Sequence, residues 1–138
     1  VNPVVMFHGL NGSCSQIDGW VDIISEGINH AAPVKCVEIG DGNDTSLFTS
    51  MPHQVRQACK NVANDPDFVG KPISVIGISQ GGLIARAFVE QCAEVDVDIL
   101  FTFGGPHMGV SAICSLTKNK WLPLNMATGW LALRIPWI

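Results

Sequence analysis

Gly77-Ile78-Ser79-Gln80-Gly81 constrains this chain more than any other stretch. It has the pattern G-x-S-x-G. An apolar run, Ile73 to Ile76, precedes it, and apolar residues at helical spacing from Leu83 to Cys92 follow. That order predicts a strand, a sharp turn and a helix, with the serine at the turn. A side chain at Gly77 or Gly81 would collide with neighbouring backbone, so the turn demands glycine on both sides. The turn pushes the Ser79 hydroxyl out at the C-terminal edge of a sheet. It also leaves the Gln80 N–H at a helix N-terminus, where developing negative charge is favoured.

The remaining strands and helices follow from apolar spacing. Val4 to Phe7 is a continuous apolar run suited to a buried strand. Trp20, Ile23, Ile24 and Ile28 have helical spacing, which predicts a helix over Ile17 to Asn29 that Pro33 ends. Val34 to Ile39 reads as a second strand and Gly40 to Ser50 as a polar loop. Val55, Ala58, Cys59 and Val62 mark a helix ending near Asp65-Pro66. A third strand runs from Pro72 to Ile78 and a fourth from Ile99 to Phe103. Strands alternate with helices, as in right-handed βαβ units around a parallel sheet. Ligands then bind beyond the C-terminal ends of the strands. Three loops converge there: one from His8, the turn at Ser79, and one from Gly104 to Gly109.

At 138 residues the chain has room for one domain. Its 47% hydrophobic and 14% charged residues favour a packed core over disorder. The net charge of −4 comes with no basic patch, which argues against a nucleic-acid partner. The apolar stretch from Trp121 to Ile138 is interrupted by Pro123, Asn125, Arg134 and Pro136, so no transmembrane segment is expected. Val1 opens the chain without a charged n-region and apolar h-region, so no signal peptide is read in it. The five cysteines include no C-x-x-C pair, and the four histidines are scattered, so no metal site is expected.

Ser79 is the candidate nucleophile, and a serine hydroxyl needs an adjacent base to react. An oxyanion hole needs two N–H donors. Gln80 supplies one, and Leu10, in the loop after the first strand, is placed to supply the other. No base is evident. The acids after Ser79 are Glu90, Glu94, Asp96 and Asp98, on the elbow helix or before the fourth strand, away from Ser79. His107 is at the right edge without an acid to orient it, so it and Met108 are assigned to the pocket wall. His8 reads as a loop-stabilising residue, and His30 and His53 as surface residues at helix ends. Arg86 reads as an arginine bonding carbonyls or an acid, and Cys36 as a small buried hydrophobe. Cys59 and Cys92 lie on helices flanking the third strand, close enough for a bridge if both helices cover one face.

In combination these segments resemble the palmitoyl-protein thioesterases, lysosomal α/β-hydrolases that remove long acyl chains from cysteines. The matching stretches are Val4-Val5-Met6-Phe7-His8-Gly9-Leu10, Cys36-Val37-Glu38-Ile39-Gly40, Gln54-Val55 with Cys59, Gly77-Ile78-Ser79-Gln80-Gly81-Gly82, Arg86, Cys92, and Gly104-Gly105-Pro106-His107-Met108-Gly109-Val110. They cover residues 3–114, and 115–138 reads as a divergent tail of a single, incomplete α/β-hydrolase domain. The resemblance implies Ser79 as nucleophile, Leu10 and Gln80 amides as the oxyanion hole, and a Cys59–Cys92 disulfide. It also implies a lysosomal or secretory location, with which the sequons at Asn11 and Asn43 agree. Cys14 is followed by Ser15 where some members carry a second cysteine, and Cys114 has no later cysteine to pair with.

The family's catalytic Asp and His would lie beyond residue 138, so the chain alone is expected to be inactive. The implied reaction is hydrolysis of a long-chain acyl thioester on a protein or peptide, through an acyl-serine and without a metal or organic cofactor. The alternatives are a lipase or ester hydrolase with the same elbow, and a non-catalytic acyl-binding or partner-binding remnant.

Overall fold

The computed structural model describes residues 1–110, 112–114 and 121–123. The chain divides into two compact units, Val1–Gly105 and Pro106–Ile138. The first contains four strands, β1 (Val4–Phe7), β2 (Val34–Cys36), β3 (Ile73–Ile78) and β4 (Val97–Phe103). It also contains a short 3-10 turn (Cys14–Gln16) and four helices: α1 (Asp18–Gly27), α2 (Asn43–Phe48), α3 (Met51–Ala63) and α4 (Gln80–Gln91). In the second unit, β5 (Ala112–Cys114) pairs antiparallel with β6 (Trp121–Pro123). The sequence expectations for 115–138 lie outside the described residues, apart from the backbone of β6.

The sheet of the first unit is parallel throughout, in the order β2-β1-β3-β4. It is an α/β-hydrolase-type sheet with helices on both faces. Alternation along β1 divides the core: Val5 and Phe7 point to one face, Val4 and Met6 to the other. The first face is the thicker. There Val55, Ala58 and Val62 of α3 and Leu83, Ile84 and Phe88 of α4 pack on β1 and β3. Phe7 and Phe88 meet with ring centroids 5.6 Å apart. On the second face Ile17, Val21 and Ile24 cover Val4, Met6 and Ile76. α1 has no fully buried residue, and Trp20 instead tilts onto Phe103 of β4 at 5.4 Å.

Several predicted boundaries shift. The segment read as a polar loop from Gly40 to Ser50 contains α2. The Asp41 carboxylate there accepts hydrogen bonds from the Thr45 N–H and hydroxyl, both 2.8 Å, and so caps a short helix of modest propensity. The second strand leaves the ladder after Cys36, although the Val37 N–H still reaches the Met6 carbonyl at 3.0 Å. β4 starts at Val97, so Asp98 lies within the strand and accepts from Asn2. α4 begins at Gln80, directly after the serine, because glycines at 81 and 82 let the helix start against the sheet.

Two disulfides tie this unit together. Cys59–Cys92 joins α3 to the end of α4, closing 33 residues. Cys36 is not a plain buried hydrophobe, because it is bonded to Cys14 across 22 residues. The loop after β1 folds back over β2, bringing the two Cα atoms within 5.5 Å. In the chain-entropy account each closure is worth about 3–4 kcal/mol. Replacing Cys59 and Cys92 together by Ala should lower unfolding free energy by about that amount. Urea unfolding monitored by tryptophan fluorescence checks this, with Cys14/Cys36→Ala giving a loss of similar size.

Candidate active site

The order of strands reverses between β1 and β3. β1 passes through α1 to β2 on one side, and the chain then crosses to β3 on the other. Such a switch point opens a crevice at the C-terminal ends of the two strands. The loop beginning at His8 leaves β1 there, and Ser79 follows β3.

Ser79 is exposed, whereas Gly77, Gln80 and Gly81 beside it are buried. Its backbone has φ 55° and ψ −121°, a region L-residues rarely occupy. Holding a non-glycine residue there costs about 1–3 kcal/mol. The Ser79 N–H donates to the Phe103 carbonyl at 2.8 Å, and the Ser79 carbonyl accepts from Gly82 at 2.9 Å. The glycine requirement is met as expected. A Cβ on Gly77 would collide with the Gly81 carbonyl, and one on Gly81 with the Phe7 and His8 carbonyls.

The loop after β1 lies directly against the serine. A Cβ on Gly9 would sit 3.6 Å from the Ser79 hydroxyl oxygen. Among the described residues, neither the Leu10 N–H nor the Gln80 N–H has a hydrogen-bond partner, although the next amide, Asn11, is bonded. The Gly9 carbonyl accepts from His8 Nδ1 at 2.8 Å and from the Gly12 N–H at 3.2 Å. In a trans peptide the carbonyl and the following N–H point in opposite directions. Anchoring Gly9 O toward His8 therefore turns the Leu10 N–H away from it.

His8 is a loop-stabilising residue, as its position suggested, and it is 7% exposed. Nδ1 carries a proton, since the Gly9 carbonyl only accepts. Nε2 lies 2.6 Å from Glu38 Oε1. The other Glu38 oxygen accepts from the Cys14 N–H at 2.8 Å, so one carboxylate ties the ring and the loop to the segment after β2. Glu38 was not singled out as a site residue from the sequence. The available signal was its place in the Cys36–Gly40 motif, since alternation alone gives no partner for it.

The other candidates lie apart from this group. Arg86 donates from Nε to Glu90 at 3.0 Å along α4, in agreement with its reading as an arginine bonded to an acid. Glu94 lies against the Cys59–Cys92 bridge, with one oxygen 3.2 Å from Cys59 Sγ. Cys59, Cys92 and Glu94 are close enough together to suggest a metal site, but their sulfurs are already bonded to each other. His30 and His53 are exposed near helix ends. His107 and Met108 belong to the second unit, in a turn closed by the Gly109 N–H on the Pro106 carbonyl at 2.9 Å.

A family model described as palmitoyl protein thioesterase matches residues 3–134. The chain belongs to this family. It is 35% identical over 107 residues to palmitoyl-protein thioesterase 3 of Dictyostelium discoideum, spanning 78% of this chain and 36% of that protein. It is 28% identical to palmitoyl-protein thioesterase 1 of Caenorhabditis elegans, across 78% of this chain and 38% of the relative. The chain thus spans little more than a third of the length of these relatives. Among solved structures, the mature form of Bacillus licheniformis lipase BlEst2 superposes with a TM-score of 0.62 at 19% identity, over 78% of this chain and 42% of the lipase. That likeness shows the fold. The family is one of hydrolases, and its α/β sheet carries the elbow motif at the end of β3.

Two side chains behind the site lend themselves to direct tests. Removing one Glu38 charge in Glu38→Gln weakens both of its bonds and should cost about 1–3 kcal/mol of stability. Thermal unfolding of the variant measures it. Asp41 is held below its usual value near 3.8, first by the Thr45 N–H and then by the Thr45 hydroxyl. Because folding lowers this pKa, the carboxylate stabilises the fold above its unfolded value. That contribution is lost as pH falls through the folded value. Asp41→Asn should therefore be less stable than wild type at pH 5 to 7, with the gap closing below about pH 4. Melting temperatures across that range check the sign.

Proposed function

We propose that this chain carries the nucleophile and oxyanion hole of a serine thioesterase acting on long-chain acyl groups, palmitoyl included, attached to cysteines of proteins. The observation that carries the reading is an exposed, strained Ser79 beside two amides, Leu10 and Gln80, that have no partner among the described residues. A side chain held in so rare a conformation points to function rather than packing. The exposed apolar side chains Leu10 and Phe48, on the segments next to the serine, suit a hydrophobic acyl group.

In the reaction a histidine, oriented by an aspartate, takes the Ser79 proton as Oγ attacks the thioester carbonyl. The oxyanion is stabilised by the Leu10 and Gln80 N–H groups, and each such donor is typically worth about 2.7–4 kcal/mol. The C–S bond breaks, and the histidine returns its proton to the departing thiolate. Water, deprotonated by the same histidine, then hydrolyses the acyl-serine to the fatty acid and free Ser79. By resemblance to the family, the histidine and aspartate belong to sequence beyond residue 138, and the 138 residues alone turn over slowly or not at all. The two disulfides fit an oxidising compartment, and we assign the protein to the secretory pathway and the lysosome. Exposed Asn43 is the sequon assigned as glycosylated, since Asn11 lies in the loop beside Ser79.

In the complete gene product a fluorophosphonate probe should label Ser79, and Ser79→Ala should abolish labelling and turnover of a palmitoyl thioester. Thioesters should be cleaved faster than oxygen esters of equal chain length. The reverse order would make the protein an ester hydrolase. No labelling of the complete product would make it a non-catalytic acyl- or partner-binding protein.

A further inference from the structure

Ser46, in the middle of α2, is 3% exposed and touches both halves of the proposed oxyanion hole. Its hydroxyl donates to the Asn43 carbonyl at 2.7 Å, because a carbonyl only accepts. With its single proton committed, the same oxygen accepts the Asn11 N–H at 2.7 Å. The Ser46 carbonyl accepts from Gln80 Nε2 at 2.9 Å. The Ser46 N–H closes the set on Gly42 O at 2.8 Å. Asn11 follows Leu10, whose amide is one proposed donor, and Gln80 supplies the other. Asn11 and Gln80 are 69 positions apart in sequence, and one buried serine bonds both.

We propose that Ser46 is a positioning residue of the oxyanion hole, fixing the spacing between the Leu10 and Gln80 amides; this rests on the serine-hydrolase reading above. The Asn11 N–H bond sets the peptide plane after Leu10, while His8 and Gly12 set the plane before it. Leu10 is thereby fixed from both sides, at a backbone step into Asn11 with φ 53°. Gln80 is 7% exposed, and its Oε1 has no partner among the described residues, so Nε2 to Ser46 is its anchoring bond. Losing the Ser46 hydroxyl strips the partner from the Asn11 N–H and releases the peptide plane after Leu10, which leaves the Leu10 N–H anchored from one side only. Donors that stabilise charge formed only in the transition state affect kcat rather than KM.

The test uses the complete gene product, a palmitoyl thioester of a short cysteine peptide, and variants at Ser46 and Ser79. Ser46→Ala should lower kcat ten- to a hundred-fold with KM within twofold, and amide exchange at Asn11 should quicken at least tenfold. Ser46→Thr, which keeps the hydroxyl, should retain kcat within about threefold of wild type. If Ser46→Ala does not fold, Ser46→Cys, with a weak sulfur acceptor of similar size, takes its place. The proposal is overturned if kcat in Ser46→Ala stays within twofold while Ser79→Ala is inactive. It is equally overturned if Thr loses as much as Ala, since packing alone would then account for the effect. Should Ser79→Ala keep full turnover, the serine-hydrolase reading itself fails. Unchanged Asn11 exchange in Ser46→Ala overturns the clamp whatever the activity.

Discussion

The close approach of Gly81 to the end of β1 is the constraint on which the rest of the site depends. The start of α4 presses against the Phe7 and His8 carbonyls, and no residue with a side chain fits there. Because α4 can begin so near β1, Ser79 turns sharply out of β3 and its neighbour Gln80 becomes the first helical residue. The same contact brings the loop after β1 beside the serine, so the two amides proposed as donors come from adjacent strands. Parallel pairing of Phe7 with Gly77 sets the height at which both strands end. Backbone geometry therefore positions this site, and side chains refine it.

The refinement comes from polar groups that are nearly all satisfied. A loop whose amides are proposed as oxyanion donors must stay ordered without using those amides in its own hydrogen bonds. The chain achieves this by bonding the groups on either side: Gly9 O to His8 and Gly12, Asn11 N–H to Ser46, Cys14 N–H to Glu38. A buried donor left without a partner costs about 1–3 kcal/mol, so anchors of this kind hold strongly. The Cys14–Cys36 bridge adds a covalent tie from the same loop to β2. Among the described residues, the amides of Leu10 and Gln80 remain open while the loop around them is held.

Much of this fold was legible in the sequence, for reasons that explain what was not. β1 and β3 are short apolar runs buried on both faces, and α4 follows a glycine pattern with one steric meaning. Ser79, Gly77 and Gly81 were therefore readable from spacing. α2 was missed because its residues, Asn43 to Phe48, lack an apolar face, and a capping carboxylate together with tertiary bonds holds it. Glu38 and Ser46 were missed for the same reason, since their partners lie 24 to 35 positions away in sequence. Cys36 looked like a core residue because its partner, Cys14, sits in a loop with no periodicity. Long-range polar pairing leaves no local signature, whereas steric and hydrophobic constraints do.

The arrangement of charge also bears on where a base can come from. Six residues of β3 rise about 20 Å, which separates the serine from the opposite edge of the sheet. Glu94 and Asp96 occupy that far edge, and Glu90 is committed to Arg86. Proton transfer requires contact near 3 Å, so these acids cannot serve Ser79 or orient a partner for it. His8 lies near the serine, but both of its ring nitrogens are engaged, one by Gly9 and the other by Glu38. Turning the ring toward Ser79 would break both bonds, and with the Gly9 bond would go the direction of the Leu10 N–H. Within Val1–Gly105, His8 is thus committed to the bonds that hold the loop after β1. On the reading proposed for Ser79, neither these acids nor His8 supplies its base.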